Sequence, residues 1–438
     1  MMKFYDRKEE LALIQESEKQ SRETATMMVV NGRRRVGKTS LVTKALEGMD
    51  TAYLFLSKDT EAVLCCKLKQ ELETSLGITV YGQLTTFRSL FEVIMQESQK
   101  RHFTVILDEL QNLNKANPAA FSDMQDLWDR YKDKSHLNLI CCGSVRTMMK
   151  KIFEDKGEPL YGRSTSKFSL RPFTISTIKE ILSDYNPDFS SEDLLTLYMI
   201  TGGVAKYVEL LMDAKCTTHK KMMDYVFRAD SYFLTEGKDM LTEEFSSDYG
   251  TYFSIMQLVA SGLTRVSEID GVMQKPSSVY LSNLEKSFGM ITKCQPLLAK
   301  SGSKVSKYLI KDPFLRFWFR FVYPYQALIE RQQFQLIRKN AEDHYAQFSG
   351  KTLETYFQEK AYETGQYSLV GNWWDREGEN EIDYIALNEF DHTGVIAEIK
   401  RNPRKISLSA LKDKVAVLPH QNFGKYHFSF TGFSMEDM

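Results

Sequence analysis

From Gly32 to Thr39 the chain reads Gly-Arg-Arg-Arg-Val-Gly-Lys-Thr, a Gly-x-x-x-x-Gly-Lys-Thr spacing with a defined chemistry. Gly32 and Gly37 let the backbone curl until successive N–H groups face a phosphate, and the helix that follows adds the positive end of its dipole. Arg33, Arg34, Arg35 and Val36 supply the loop amides, and Ser40 belongs to the first helical turn. Lys38 is spaced to reach the β- and γ-phosphates, and Thr39 to put its hydroxyl on Mg²⁺. The apolar run 27–30 before the loop and the apolar-periodic residues after it give the strand–loop–helix context on which the pattern depends. A basic turn ahead of an ordinary helix is the plain alternative, and the full spacing with its flanking strand argues against it. The expected ligands are a nucleoside triphosphate and Mg²⁺.

Seventy positions after Lys38, the apolar run 102–107 ends in Asp108 and Glu109. A buried parallel strand reads as such a run, and its C-terminal edge is where an open sheet places chemistry. Asp108 is positioned to hold the Mg²⁺, directly or through water, and Glu109 to orient and deprotonate an attacking water. A solvated strand end would serve as well on these two residues alone; the distance from the phosphate loop favours the catalytic reading. A further apolar strand, 137–142, leads to Ser144, which either polls the γ-phosphate or caps the next helix. Arg163 lies in a Gly- and Ser-containing loop before a strand at 167–170. It is either an arginine that stabilises the transferring phosphoryl group or a surface cation.

A second constellation lies near the C-terminus. Glu354 sits on an amphipathic helix, Asp383 opens a strand at 384–387, and Glu398 and Lys400 share one face of a strand at 394–400. Asp383 and Glu398 are fifteen positions apart, a separation that suits a hairpin carrying both carboxylates to one cation. With Glu354 as a third ligand and Lys400 orienting water or the leaving phosphate, the chemistry would be metal-assisted phosphodiester hydrolysis. An acid followed by Glu-x-Lys is also the pattern of a surface salt bridge.

The elements that must carry these residues follow from periodicity. Helical spacing predicts helices at 64–76, 87–99, 175–182 and 194–200, and alternation predicts a strand at 51–56. In the middle of the chain, helices at 249–260, 265–273 and 277–288 precede strands at 291–298 and 307–310, which together describe a winged helix-turn-helix. Between Lys275 and Lys311 there are seven lysines and one acid, Glu285, a local charge of about +6 in a chain whose net charge is −1. Such a stripe could offset phosphates of double-stranded DNA, with Ser277, Ser278, Tyr280 and Asn283 facing a groove. Packing against the preceding domain is the alternative use. The aromatic segment Asp312 to Phe321 could stack bases, but a buried connecting helix is the plainer expectation.

With 438 residues, 42% hydrophobic and 26% charged, the chain has room for two to four ordinary globular domains. No apolar run approaches a membrane span, and the charged first twenty-one residues are unlike a signal segment. Six cysteines, four of them in two adjacent pairs, fit neither a disulfide framework nor a zinc knuckle, and the seven histidines lack metal-ligand spacing. Reduced thiols and a cytoplasmic location are expected, with no membrane partner.

Taken in order, FYDRKEEL, GRRRVGKTSL, LDELQ, the Gly-Ser after the fourth strand, PLYGR and TGGVAKY resemble the archaeal-type ATPase family, a branch of AAA+-like P-loop ATPases near the STAND switch ATPases. The resemblance covers residues 1 to about 235. It implies ATP as the nucleotide, a parallel sheet in the order 51432, Arg7 near the adenine end, Arg163 as an arginine finger, and a helical lid after the sheet. Ala205 stands where the family commonly has proline, which weakens the expected lid contact near Gly202 and Gly203. The segment 312–324 is similar to a connector of the same family. GNWWDREGENEIDYIAL followed by AEIKR resembles the PD-(D/E)xK nuclease superfamily, in a form fused to such ATPases. The expected organisation is an α/β P-loop core at 1–172, a helical lid at 173–238, a winged helix with connector at 239–322, and a restriction-endonuclease-like α/β domain at 323–438. The expected activity is ATP hydrolysis coupled to DNA binding and Mg²⁺-dependent cleavage, possible in a homo-oligomer. A regulatory switch with a non-cutting nuclease-like scaffold is the alternative.

Overall fold

The apolar runs that the sequence places before the phosphate loop and before Asp108 are strands of one parallel sheet. The structure, a computed structural model, describes residues 2–245, 249–300, 305–377 and 379–438. It divides into two compact units, Asp6–Pro172 and a second made of Met1–Tyr5 with Phe173–Met438.

The first unit runs α1 (Lys8–Gln20), β1 (Thr26–Asn31), α2 (Lys38–Ala45), β2 (Thr51–Phe55), α3 (Glu61–Leu76) and α4 (Phe87–Glu97). It continues with β3 (Phe103–Asp108), α5 (Leu113–Ala116), α6 (Ala120–Tyr131), β4 (Leu137–Gly143), α7 (Arg146–Glu154) and β5 (Ser166–Ser169). The five strands pair in the order β5-β1-β4-β3-β2, the 51432 order, and every pairing is parallel. Every residue of β3 and β4 is buried, which is why both read as unbroken apolar runs and not as alternation. Because β4 lies between β1 and β3, the loop after β1 and the C-terminal ends of β3 and β4 share one edge. Met28, Val30, Leu41, Val42, Ile106 and Ile140 fill one face of the sheet beneath that edge.

The second unit opens with helices α8 (Ile175–Tyr185), α9 (Ser191–Thr201), α10 (Ala205–Asp213), α11 (His219–Val226) and α12 (Phe233–Phe245). Gly203, in the turn before α10, has φ +74, and a Cβ there would stand 2.3 Å from the Phe173 carbonyl oxygen. Its neighbourhood is packed backbone. Ala205 is the first residue of α10, a position at which proline is also tolerated, so the departure from the family pattern leaves the helix start intact.

Three helices, α13 (Tyr249–Ala260), α14 (Val266–Met273) and α15 (Ser278–Ser282), lead to the antiparallel hairpin of β6 (Ile291–Cys294) and β7 (Lys307–Ile310). One π-helical turn, Asn283–Ser287, extends α15. The following α16 (Pro313–Phe321) buries Phe314, Phe317, Trp318, Phe319 and Phe321. These rings form a core, and base stacking on them is excluded. After α17 (Gln326–Glu330), the long α18 (Phe334–Glu363) precedes β8 (Leu369–Trp374), β9 (Glu381–Asn388), β10 (Thr393–Ile399), α19 (Leu408–Ala416), α20 (His420–Phe423) and β11 (His427–Phe433). The last sheet has the order β11-β10-β9-β8, antiparallel except for the β10–β11 pair.

Helices α8 and α9 are bonded to the C-terminal part of the same unit. Glu363, the last residue of α18, accepts hydrogen bonds from the Ile175 and Ser176 amides at 2.6 and 3.1 Å, so a carboxylate sits on the positive end of α8. Arg401, just beyond β10, reaches Glu192 on α9 at 2.5 Å and the Ser349 hydroxyl on α18 at 2.6 Å.

Candidate functional site

The turn into α2 is made by Gly37 at φ 102, with Arg35 also left-handed at φ 69. Gly32 is required for space, since a Cβ there would lie 2.9 Å from the Leu170 carbonyl oxygen and 3.1 Å from Val36. Val36 is buried under the loop, whereas Arg33, Arg34 and Arg35 are half-buried and Thr39 and Ser40 exposed. Lys38, the first residue of α2, is buried and folds back so that its ammonium donates to the Gly32 and Arg33 carbonyls at 2.8 and 3.2 Å. Burial pulls its pKa below the usual lysine value, against the nearby Glu109 and Asp108 carboxylates.

Across the edge, the Thr39 hydroxyl donates to Asp108 Oδ2 at 3.4 Å, and the Tyr53 hydroxyl donates to the same oxygen. Asp108 Oδ1 accepts the Glu109 amide at 2.9 Å. Glu109 has left-handed backbone, φ 57, which turns its side chain back over the strand end. Its Oε2 accepts from the Ser144 hydroxyl at 2.7 Å and from the Gln111 amide. Ser144 lies just before the Val145 N-cap of α7 and spends its hydroxyl on Glu109. Tyr53 and Gln111 escaped the sequence reading. A tyrosine in an alternating strand signals only β propensity, and the Gln in LDELQ lies inside a motif without a chemistry of its own.

An ammonium, a glycine loop, a helix N-terminus, one hydroxyl and one carboxylate make a donor set of hard oxygens and positive charge. That set suits a triphosphate with magnesium. Arg7 and Arg163 have other partners. Arg7 is buried with its Nη2 on the Arg171 carbonyl at 2.7 Å and its Nη1 3.4 Å from Glu10, and burial lowers its pKa. Arg163 is clamped to Asp129 on α6, with Nε at 3.1 Å and Nη2 at 2.6 Å, and Nη1 reaches the Pro159 carbonyl at 2.6 Å.

In the second unit, β9 and β10 pair Tyr384 with Ala397, so Asp383 and Glu398 stand at one end of the hairpin. Lys400 lies between them, 2.9 Å from Asp383 Oδ2 and 3.6 Å from Glu398 Oε1. Glu398 Oε2 accepts the Ser407 amide at 2.8 Å, and Lys414 on α19 comes within 3.8 Å of Oε1. Glu354 is bonded to Lys351 on its own helix. Burial raises its pKa, Asp383 and Glu381 raise it further, and Lys351 opposes them. Among the described residues, no three His, Cys, Asp or Glu side chains are grouped as metal ligands. Asp383 and Glu398 remain a two-carboxylate pair of the kind that can hold Mg²⁺ with water completing the shell.

The region of the seven lysines differs in detail from expectation. Ser277 is buried and donates to Asp270 at 2.6 Å, so it faces inward and not toward a groove. Asn283 donates to the Tyr252 hydroxyl at 3.1 Å. Ser278 and Val279 are exposed, as are Lys275, Lys286, Lys293, Lys300 and Lys311. Lys307 pairs with Glu381 at 3.3 Å and lies over the Trp374 ring at 4.5 Å, and Lys304 lies outside the described residues. The cysteines are free, and burial pushes the Cys141 thiol up to about 12. No helix among the described residues is long and apolar enough to cross a membrane.

Residues 4–211 match the family model described as an ATPase domain predominantly from Archaea, and residues 318–409 match one described as archaeal and bacterial proteins of unknown function. An uncharacterised protein of Methanocaldococcus jannaschii is 29% identical over 408 residues, covering 91% of this chain and 87% of that protein. A Walker-type ATPase of Pyrococcus abyssi shares the fold with a TM-score of 0.54 at 18% identity, over 72% of this chain and 96% of that one. With its parallel sheet and phosphate loop, the chain carries an archaeal-type P-loop ATPase domain, followed by a C-terminal domain of that second family.

Proposed function

We propose that the first unit binds ATP with Mg²⁺ and hydrolyses it, and that nucleotide state governs how the second unit engages and cuts DNA. The observation that carries this reading is the meeting of Lys38, Thr39, Asp108, Glu109 and Ser144 at one sheet edge. Lys38 exchanges the Gly32 and Arg33 carbonyls for β- and γ-phosphate oxygens, a trade of neutral acceptors for charged ones. Thr39 and Asp108 would hold the magnesium, which would supply neutralisation of charge on the phosphates. Glu109 takes the proton of the attacking water once Ser144 releases its carboxylate toward the γ-phosphate. Arg163, held by Asp129 within its own chain, acts on a neighbour's nucleotide in a homo-oligomer, and Arg7 closes the adenine end.

Coupling is supported by the bonds of α8 and α9, the proposed lid, to the C-terminal domain. Through Glu363 and the Arg401–Glu192 pair, a lid that moves with nucleotide carries the strand bearing Glu398 and the Lys400 that follows it. The three helices and hairpin act as a winged helix whose exposed Ser278, Val279, Lys275 and Lys286 meet double-stranded DNA. At the far end, Asp383 and Glu398 would hold Mg²⁺ as a Lewis acid, Glu354 would complete the set on giving up Lys351, and Lys400 would stabilise the leaving phosphate.

A second reading, a regulatory switch with a non-cutting scaffold, is favoured by one observation: lysines already balance the carboxylates of the C-terminal site. Cleavage of linear and plasmid DNA with Mg²⁺, with and without ATP, separates the two. The wild type is expected to cut and Asp383→Ala to lose at least about a hundredfold, as for removal of a metal-binding carboxylate. A wild type inert with Mg²⁺ or Mn²⁺ in every nucleotide state would leave the switch reading.

A further inference from the structure

Tyr53 lies on β2, the edge strand beside β3, where it pairs with Ile106 while Phe55 pairs with Asp108. From there its ring extends along the sheet toward the end of β3, and its hydroxyl donates to Asp108 Oδ2. The Thr39 hydroxyl donates to that same oxygen at 3.4 Å, and the other oxygen, Oδ1, takes the Glu109 amide at 2.9 Å. The Asp108 carboxylate is buried, so its position depends on these donors. A tyrosine suits this duty better than a longer polar chain, because a stiff ring with two torsions places the hydroxyl with little loss of entropy.

We propose that Tyr53 is a positioning residue for magnesium at the phosphate loop: its hydroxyl fixes the Asp108 carboxylate so that Oδ2 faces the Thr39 hydroxyl, where the ion or one of its waters is met. The proposal rests on the assignment of Thr39 and Asp108 to Mg²⁺ and adds to it a residue from a neighbouring strand. Without the hydroxyl, the carboxylate is free to rotate, and part of the ion's binding energy goes into ordering it. The phosphate contacts of Lys38 and the loop amides do not pass through Tyr53.

Tyr53→Phe removes one oxygen and keeps the ring, so the fold is retained, which thermal unfolding checks. The measurement is the dissociation constant of a fluorescent ATP analogue in EDTA and in Mg²⁺. In Tyr53→Phe the affinity gained on adding Mg²⁺ is expected to fall about tenfold, the effect of losing one charge-assisted hydrogen bond, with the EDTA value unchanged. Raising Mg²⁺ should recover the loss. An unchanged Mg²⁺ gain overturns the role of Tyr53, and so does a parallel weakening in both media, which marks a packing residue. A wild type that binds equally in EDTA and Mg²⁺ overturns the magnesium assignment itself.

Discussion

Lys38→Ala is expected to abolish ATP binding at millimolar nucleotide, a loss of at least about a hundredfold. In the structure the ammonium is buried at the start of α2 and satisfied by two loop carbonyls. Those carbonyls are weak substitutes for phosphate oxygens, which carry full charge and form bonds about twice as strong. Neither Arg163 nor Arg7 stands in for the ammonium, because Arg163 is committed to Asp129 and Arg7 to Glu10 and the Arg171 carbonyl. The substitution also leaves the Gly32 and Arg33 carbonyls without this donor, so a drop in thermal midpoint of the nucleotide-free protein should accompany the binding loss. Titration of a fluorescent ATP analogue reads the first effect and calorimetry the second. Wild-type affinity in Lys38→Ala would remove the phosphate loop from the account.

Glu109→Gln is expected to keep nucleotide affinity and lose turnover by about a hundredfold to ten-thousandfold, the range assigned to a positioned general base. The amide cannot take a proton, but its carbonyl oxygen can still accept the Ser144 and Gln111 hydrogen bonds that Glu109 accepts. The geometry is therefore kept while the chemistry is removed. Steady-state phosphate release together with nucleotide binding separates the two. Hydrolysis at the wild-type rate would assign the base to another residue.

The core of this site is legible in the sequence because a parallel strand buried on both faces reads as a continuous apolar run. The runs ending at Asn31, Asp108 and Gly143 therefore locate three strand ends and the residues that follow them. What the sequence conceals depends on register and on distant pairing. Tyr53 meets Asp108 only because β2 and β3 pair with Tyr53 opposite Ile106, which no local pattern encodes. Ser277 looked available to a groove, yet Asp270, seven positions earlier, turns its hydroxyl inward. The union of α8 and α9 with the C-terminal domain rests on Glu363 meeting Ile175 across 188 positions and on Arg401 meeting Glu192 across 209. That Glu398 and Lys400 share a face follows from the two-residue period of a strand, whereas their meeting with Asp383 depends on the β9–β10 pairing and that of Glu354 with Lys351 on helical spacing.

The proposed coupling of nucleotide to DNA is tested most directly by the affinity of Glu109→Gln for double-stranded DNA, measured by fluorescence anisotropy at fixed salt with ATP–Mg²⁺ and then with ADP–Mg²⁺. This variant is expected to hold ATP without consuming it. Affinities that differ by about tenfold or more, the size of an ordinary coupling free energy, are expected. Equal affinities in the two states, or no binding in either, would contradict the coupling of nucleotide to DNA.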